Sequence, residues 1–135
     1  MSTVSCQQIR NPKAFKGKGA IARQAREAEQ RLTGLIAQME ELKQRSREIR
    51  SRSFALELYR RNAADVVLRW RLTTGKHTTW AAIRPMLRRL PASIQRWYIE
   101  LQLSAVLLNA HAALARAEAR KLRGLLREWD DLQQL

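Results

Sequence analysis

The residues of this chain best suited to chemistry are arginines, and they are concentrated. Between Lys43 and Arg96 fourteen basic residues face three acidic ones, a net of +11. From Met1 to Leu42 seven face four, a net of +3, and from Trp97 to Leu135 five face five. Twenty of the 26 basic residues are arginine. A guanidinium takes phosphate through two parallel hydrogen bonds and stacks on bases. The codon bias of a GC-rich genome explains arginine over lysine, but not the clustering. Charge gathered in this way attracts polyanions. The candidate nucleic-acid contacts are Lys43, Arg45, Arg47, Arg50 and Arg52 at the end of a first helix, then Arg69, Arg71 and Lys76, then Arg84, Arg88 and Arg89. Cations at a helix C-terminus also complement its dipole, but one or two suffice for that.

Aromatic residues are interleaved with these cations. Six of the eight lie between Phe54 and Tyr98: Phe54, Tyr59, Trp70, Trp80, Trp97 and Tyr98. Exposed aromatics stack on bases beside phosphate-binding cations, whereas buried ones build cores. No catalytic constellation accompanies them. His77 and His111 have no acid or cysteine at metal-ligand spacing. His77 sits beside a turn, where it can meet phosphate, and His111 flanks a helix seam as a structural residue. Gly17-Lys18-Gly19 and Gly75-Lys76 are too short for a phosphate loop. Nuclease chemistry needs clustered carboxylates, and the acids sit mostly on outer helix ends, as at Asp130-Asp131. Cys6 is the only cysteine, which excludes an internal disulfide. Neither an enzyme, a cofactor nor a metal is expected.

The elements that must position the cations follow from periodicity. Ile21, Ala25, Ala28, Leu32, Leu35, Met39, Leu42 and Ile49 keep a 4-3 spacing, with Ser46 at the one skipped step. This heptad seam predicts a long helix over about 20–50. A second seam, Ile94, Tyr98, Leu101, Ala105, Leu108, Ala112, Ala115, Ala119, Leu122, Leu126 and Trp129, predicts a helix over about 92–133, with Pro91 at its start. Its extra apolar residues, Ile99, Leu103, Val106, Leu107 and Leu114, widen its face. The middle section is expected to pack there. Within that section, 54–61 resembles a short helix in composition. Val66, Leu68, Trp70 and Leu72 alternate with Val67, Arg69 and Arg71, a strand period. After a turn at 73–76, His77–Trp80 is the expected return strand of a β-hairpin over about 65–80. The competing reading makes 63–72 helical, with Thr78 or Thr79 capping the next helix. That helix, about 80–90, contains Pro85 and is short or bent.

The expected fold is mainly α: an antiparallel, coiled-coil-like hairpin of two long helices with a compact basic head of short helices and the two-stranded β-hairpin. Residues 1–19 form a flexible basic arm and 20–135 one helical domain, with the head at about 51–90. Antiparallel pairing gathers the basic clusters at one end of the rod; the rival arrangement is a homodimer whose seams pair between chains. No run is long enough to span a membrane, Met1–Asn11 lacks the apolar core of a signal peptide, and the expected compartment is the cytoplasm.

Phe15-Lys16-Gly17-Lys18-Gly19, Leu68-Arg69-Trp70-Arg71, and Leu101-Gln102 with Leu108-Asn109 resemble a small proteobacterial family of unknown function. Its genes lie in integrative conjugative elements, among partition, single-strand-binding and topoisomerase genes. The resemblance runs from about residue 12. It implies a mobile-element setting and DNA handling, and brings no catalytic residues. Three functions are therefore expected to compete. The first is a nucleic-acid-binding accessory protein, with DNA ahead of RNA. The second is a small helical subunit of a larger nucleoprotein assembly, like those of CRISPR effectors. The third is an inhibitor or adaptor gripping an acidic protein.

Overall fold

A computed structural model describes residues 17–134. Helix α1 spans Gly17–Arg45, strands β1 and β2 span Phe54–Arg60 and Val66–Leu72, and helices α2 and α3 span Trp80–Leu87 and Ala92–Gln133. The fold is mainly helical with one two-stranded antiparallel sheet. At 1.5 Å per residue α1 is about 44 Å long and α3 about 63 Å.

The two seams pair within the chain. Ala25, Ala28, Leu32, Met39 and Leu42 of α1 are buried together with Tyr98, Leu101, Ala105, Ala112, Ala115 and Ala119 of α3. Ion pairs along the flanks fix the antiparallel direction: Lys18 with Asp130 at 2.5 Å, Glu29 with Arg123 at 2.5 Å and Arg31 with Glu118 at 3.0 Å. Among the described residues, no helix is long and apolar enough to cross a membrane. The expected arm at 1–19 lies outside the described residues except for 17–19, which belong to α1.

α1 stops at Arg45, five residues short of the expected end, and Ser46 explains why. Its side chain is fully buried; Oγ donates to Lys43 O (2.6 Å) and accepts from Leu56 N (2.9 Å). The polar residue at the skipped seam step thus closes the helix and caps a strand edge. Ile49 still packs on the core, but from the loop. Arg47, Arg50 and Arg52 accordingly lie beyond the helix.

The expected short helix at 54–61 is strand β1. Phe54, Leu56 and Leu58 alternate with Ala55, Glu57 and Tyr59, and this period of two outweighs the helix propensity of Ala, Leu and Glu. The hairpin is also paired differently from the expectation. β2 runs against β1, with Phe54 opposite Leu72, Leu56 opposite Trp70 and Leu58 opposite Leu68. His77 makes only a single bridge, to Arg71. The 72–76 turn is nonetheless real: Gly75 N donates to Leu72 O and Leu72 N to Lys76 O, both at 2.8 Å, with Gly75 in the left-handed region at φ 94°. Thr79, not a return strand, caps α2, its hydroxyl accepting from Ala82 N.

The inner face of the sheet completes the core. Phe54, Leu56, Val66, Leu68 and Trp70 are buried with Ile83, Leu87 and Tyr98. Phe54 stands edge-on to Trp70 at 5.7 Å and lies 4.8 Å from Tyr98. Polar contacts also tie the sheet to α3. Asn109 accepts from Leu68 N (2.8 Å) and donates to Leu68 O (3.1 Å), and Gln102 accepts from Trp70 Nε1 (2.7 Å). The expectation that the middle section covers the extra apolar residues of α3 does not hold: Ile99, Leu103, Val106, Leu107 and Leu114 remain exposed.

Candidate nucleic-acid interface

Strand register decides which side chains the outer face of the sheet carries. With Phe54, Leu56, Val66, Leu68 and Trp70 buried, Ala55, Glu57 and Tyr59 face outward beside Arg71, Arg69 and Val67. Arg69 stands across from Glu57 but turns diagonally, its Cζ 4.5 Å from the centroid of the Tyr59 ring. Tyr59 meets His77 edge-on at 5.9 Å, and Arg71 Nη2 lies 3.3 Å from His77 Nε2. The Arg71 Nε is buried without a hydrogen-bond partner. Arg69, Tyr59, His77 and Arg71 thus form one continuous cationic and aromatic strip, on which a phosphate and a base can both find partners.

Glu57 is the carboxylate at the border of this strip. Lys43 reaches it at 3.1 Å from the last turn of α1, and Arg47 donates to its other oxygen. Burial pushes the Glu57 carboxyl up, but the Lys43 hydrogen bond, the charges of Arg47 and Lys43 and a backbone hydrogen bond from Leu58 together hold it below the usual carboxylate range. Lys43 and Arg47 are therefore partly neutralised. Arg52 spends one nitrogen on the carbonyls of Arg47 (3.0 Å) and Ile49 (3.2 Å), folding the loop after α1.

The other expected contacts fall into separate places. Arg52 and Arg89 border a cavity of about 420 Å³ floored by Phe54, Leu90, Ile94 and Tyr98. Burial raises the Tyr98 hydroxyl above its ordinary pKa, against the charge of Arg52. Arg84 and Arg88 are exposed one turn apart, and Lys76 is exposed in the 72–76 turn. Arg50 is exposed in its loop. Arg45 lines a cavity beside α3 with Trp97, Glu100 and Ser104. Among the described residues, eleven of the fourteen cations between Lys43 and Arg96 have no carboxylate within 4.0 Å; Lys43, Arg47 and Arg61 do.

Two members of the strip were not among the expected contacts. Tyr59 was assigned to a helix, although the alternation of Phe54-Ala55-Leu56-Glu57-Leu58-Tyr59 marks it as outward-facing in a strand. His77 was read as a turn neighbour able to meet phosphate, but not as a partner of Tyr59 and Arg71 on the sheet face. Of the six clustered aromatics, Phe54, Trp70 and Tyr98 are core, Trp80 and Trp97 pack on it, and Tyr59 is exposed. Among the described residues no three His, Cys, Asp or Glu side chains gather as a metal site. No protein-family model, curated protein or solved structure matches the chain.

Proposed function

We propose that this protein is a non-enzymatic nucleic-acid-binding accessory protein that grips the phosphate backbone through its arginine-rich head. The observation that carries the proposal is the surplus of unneutralised cations between Lys43 and Arg96, of which Arg69 and Arg71 lie on the outer face of the hairpin. Structural ion pairs need carboxylates, and among the described residues eleven of the fourteen cations between Lys43 and Arg96 have none within 4.0 Å. Phosphate oxygens supply that missing charge, and releasing their counterions drives the association. A two-stranded ribbon carrying Arg69 and Arg71 on one face fits a groove of a duplex, and Tyr59 and His77 add stacking surface. The grip is largely independent of sequence, because its partners are phosphates and ring faces rather than base edges. A mobile-element setting and a preference for DNA rest on the resemblance of residues 15–19, 68–71 and 101–109.

Fluorescence anisotropy with labelled single-stranded DNA, duplex DNA and RNA tests this. Micromolar or tighter binding is expected at about 100 mM salt. Changing Arg69 and Arg71 together to Ala is expected to weaken it at least about tenfold. Arg45→Ala, away from the strip, should cost much less. Absence of binding to all three polymers overturns the proposal and leaves an acidic protein or a nucleoprotein assembly as the partner to seek.

A further inference from the structure

The exposed apolar residues of α3 are ordered. Ile99, Leu103, Val106, Ala110, Ala113 and Ala117 are spaced 4-3-4-3-4, and all six are exposed. Successive helix residues turn by about 100°, so these positions form one stripe on the side of α3 away from the seam that packs on α1. Leu107 and Leu114 flank it. Ile99, Leu103, Val106, Leu107 and Leu114 are between 46% and 68% exposed. They leave roughly 500 Å² of apolar surface in solvent, near the upper limit for a monomer. A heptad spacing calls for a helix as the covering element.

We propose that the occupant is α3 of a second copy of this chain, packed antiparallel about a two-fold axis near residue 108. Side-chain size argues for it. The large residues of the stripe lie in its first half and the alanines in its second. Antiparallel pairing about residue 108 sets Ile99 against Ala117, Leu103 against Ala113 and Val106 against Ala110. Every layer then holds one large and one small residue, and the helices run at an even distance. Parallel pairing would stack leucine on leucine at one end and leave alanine facing alanine at the other. The contact is isologous, as a closed dimer requires.

Area and charge agree with this pairing. A standard interface buries about 800 Å² per partner, of which the stripe's apolar surface supplies roughly 500 Å². Residues 97–135 carry five charges of each sign. This is the face on which two copies of a chain of net charge +14 meet with least repulsion.

Sedimentation equilibrium of the full chain tests the proposal. Twice the monomer mass of 15.7 kDa is expected at about 100 µM. Leu103→Glu is expected to return the mass to 15.7 kDa with an unchanged far-UV circular dichroism spectrum, because the residue is 59% exposed and lies outside the core. Ala113→Leu distinguishes the register: it opposes a leucine to Leu103 and should weaken antiparallel association at least about tenfold. A monomeric wild-type chain at that concentration overturns the proposal, as does a Leu103→Glu chain that still pairs. Tighter association of Ala113→Leu overturns the antiparallel register.

Discussion

Glu57 is the residue whose environment most constrains the head. It lies on the outer face of the sheet, mostly shielded, with Lys43 at 3.1 Å, Arg47 hydrogen-bonded and Arg69 across the ladder. Its folded pKa lies below the ordinary value, so the ionised form favours the folded state. That contribution is complete above the unfolded pKa and disappears as the pH falls through the folded one. Glu57→Gln is therefore expected to lower the melting temperature at about pH 7, by roughly 1 kcal/mol of stability. The difference from wild type should be smaller at about pH 3 than at about pH 7, because Glu57 takes up its proton as the pH falls through its lowered folded pKa. Thermal melts by circular dichroism at the two pH values check this; a gap undiminished in acid would contradict it. The cations that converge on Glu57 were visible in the sequence as a run, but their partner was not. Ten or more residues separate the ends of these contacts, and a charge run does not say which carboxylate folds back to it.

The hairpin depends on how its edges are closed. A two-stranded sheet is marginal alone and exposes unpaired backbone at both edges. Ser46 closes β1 at Leu56, and Asn109 closes β2 by pairing with both polar groups of Leu68. Asn109→Ala orphans an N–H and a C=O in a half-buried setting. It is expected to cost about 2 kcal/mol and lower the melting temperature by roughly 8 °C. Asn109→Asp keeps the acceptor but loses the donor and should fall between the two. A melting temperature of Asn109→Ala within about 2 °C of wild type would show that the edge is satisfied otherwise. The two long helices could be read from the sequence because a heptad seam is a local, repeated signal. β1 could not be read as easily, because Ala, Leu and Glu favour a helix and only the partner strand reveals the period of two. The β2 alternation was legible, but not its partner: His77–Trp80 is nearer in sequence beyond the turn, while the ladder runs back to Phe54. Asn109 reaches across 41 residues to Leu68, a distance no local pattern encodes.

Across the whole molecule, charge and stability are divided between two regions. In the rod, Lys18, Arg31 and Arg123 meet Asp130, Glu118 and Glu29 and set the pairing of the helices, and residues 97–135 carry equal numbers of basic and acidic side chains. In the head, most cations have no carboxylate. This asymmetry was legible, since the count of acids between Lys43 and Arg96 bounds how many cations can be paired. The scatter of those cations over separate surfaces was not legible, because it depends on where α1 stops and how the loop after it folds. Under the proposed function the asymmetry has a measurable consequence. The logarithm of affinity should fall linearly with the logarithm of salt concentration, with a slope of about −0.9 per phosphate contacted on a duplex. Changing Arg69 and Arg71 together to Ala should therefore reduce the steepness by nearly 2, whatever the DNA sequence. Arg123→Ala, which breaks only the pair with Glu29, should leave the slope unchanged while it perturbs the rod. Equal slopes for the head and rod variants would mean that the sheet face does not meet phosphate. A slope lost in the rod variant alone would move the binding surface onto the long helices.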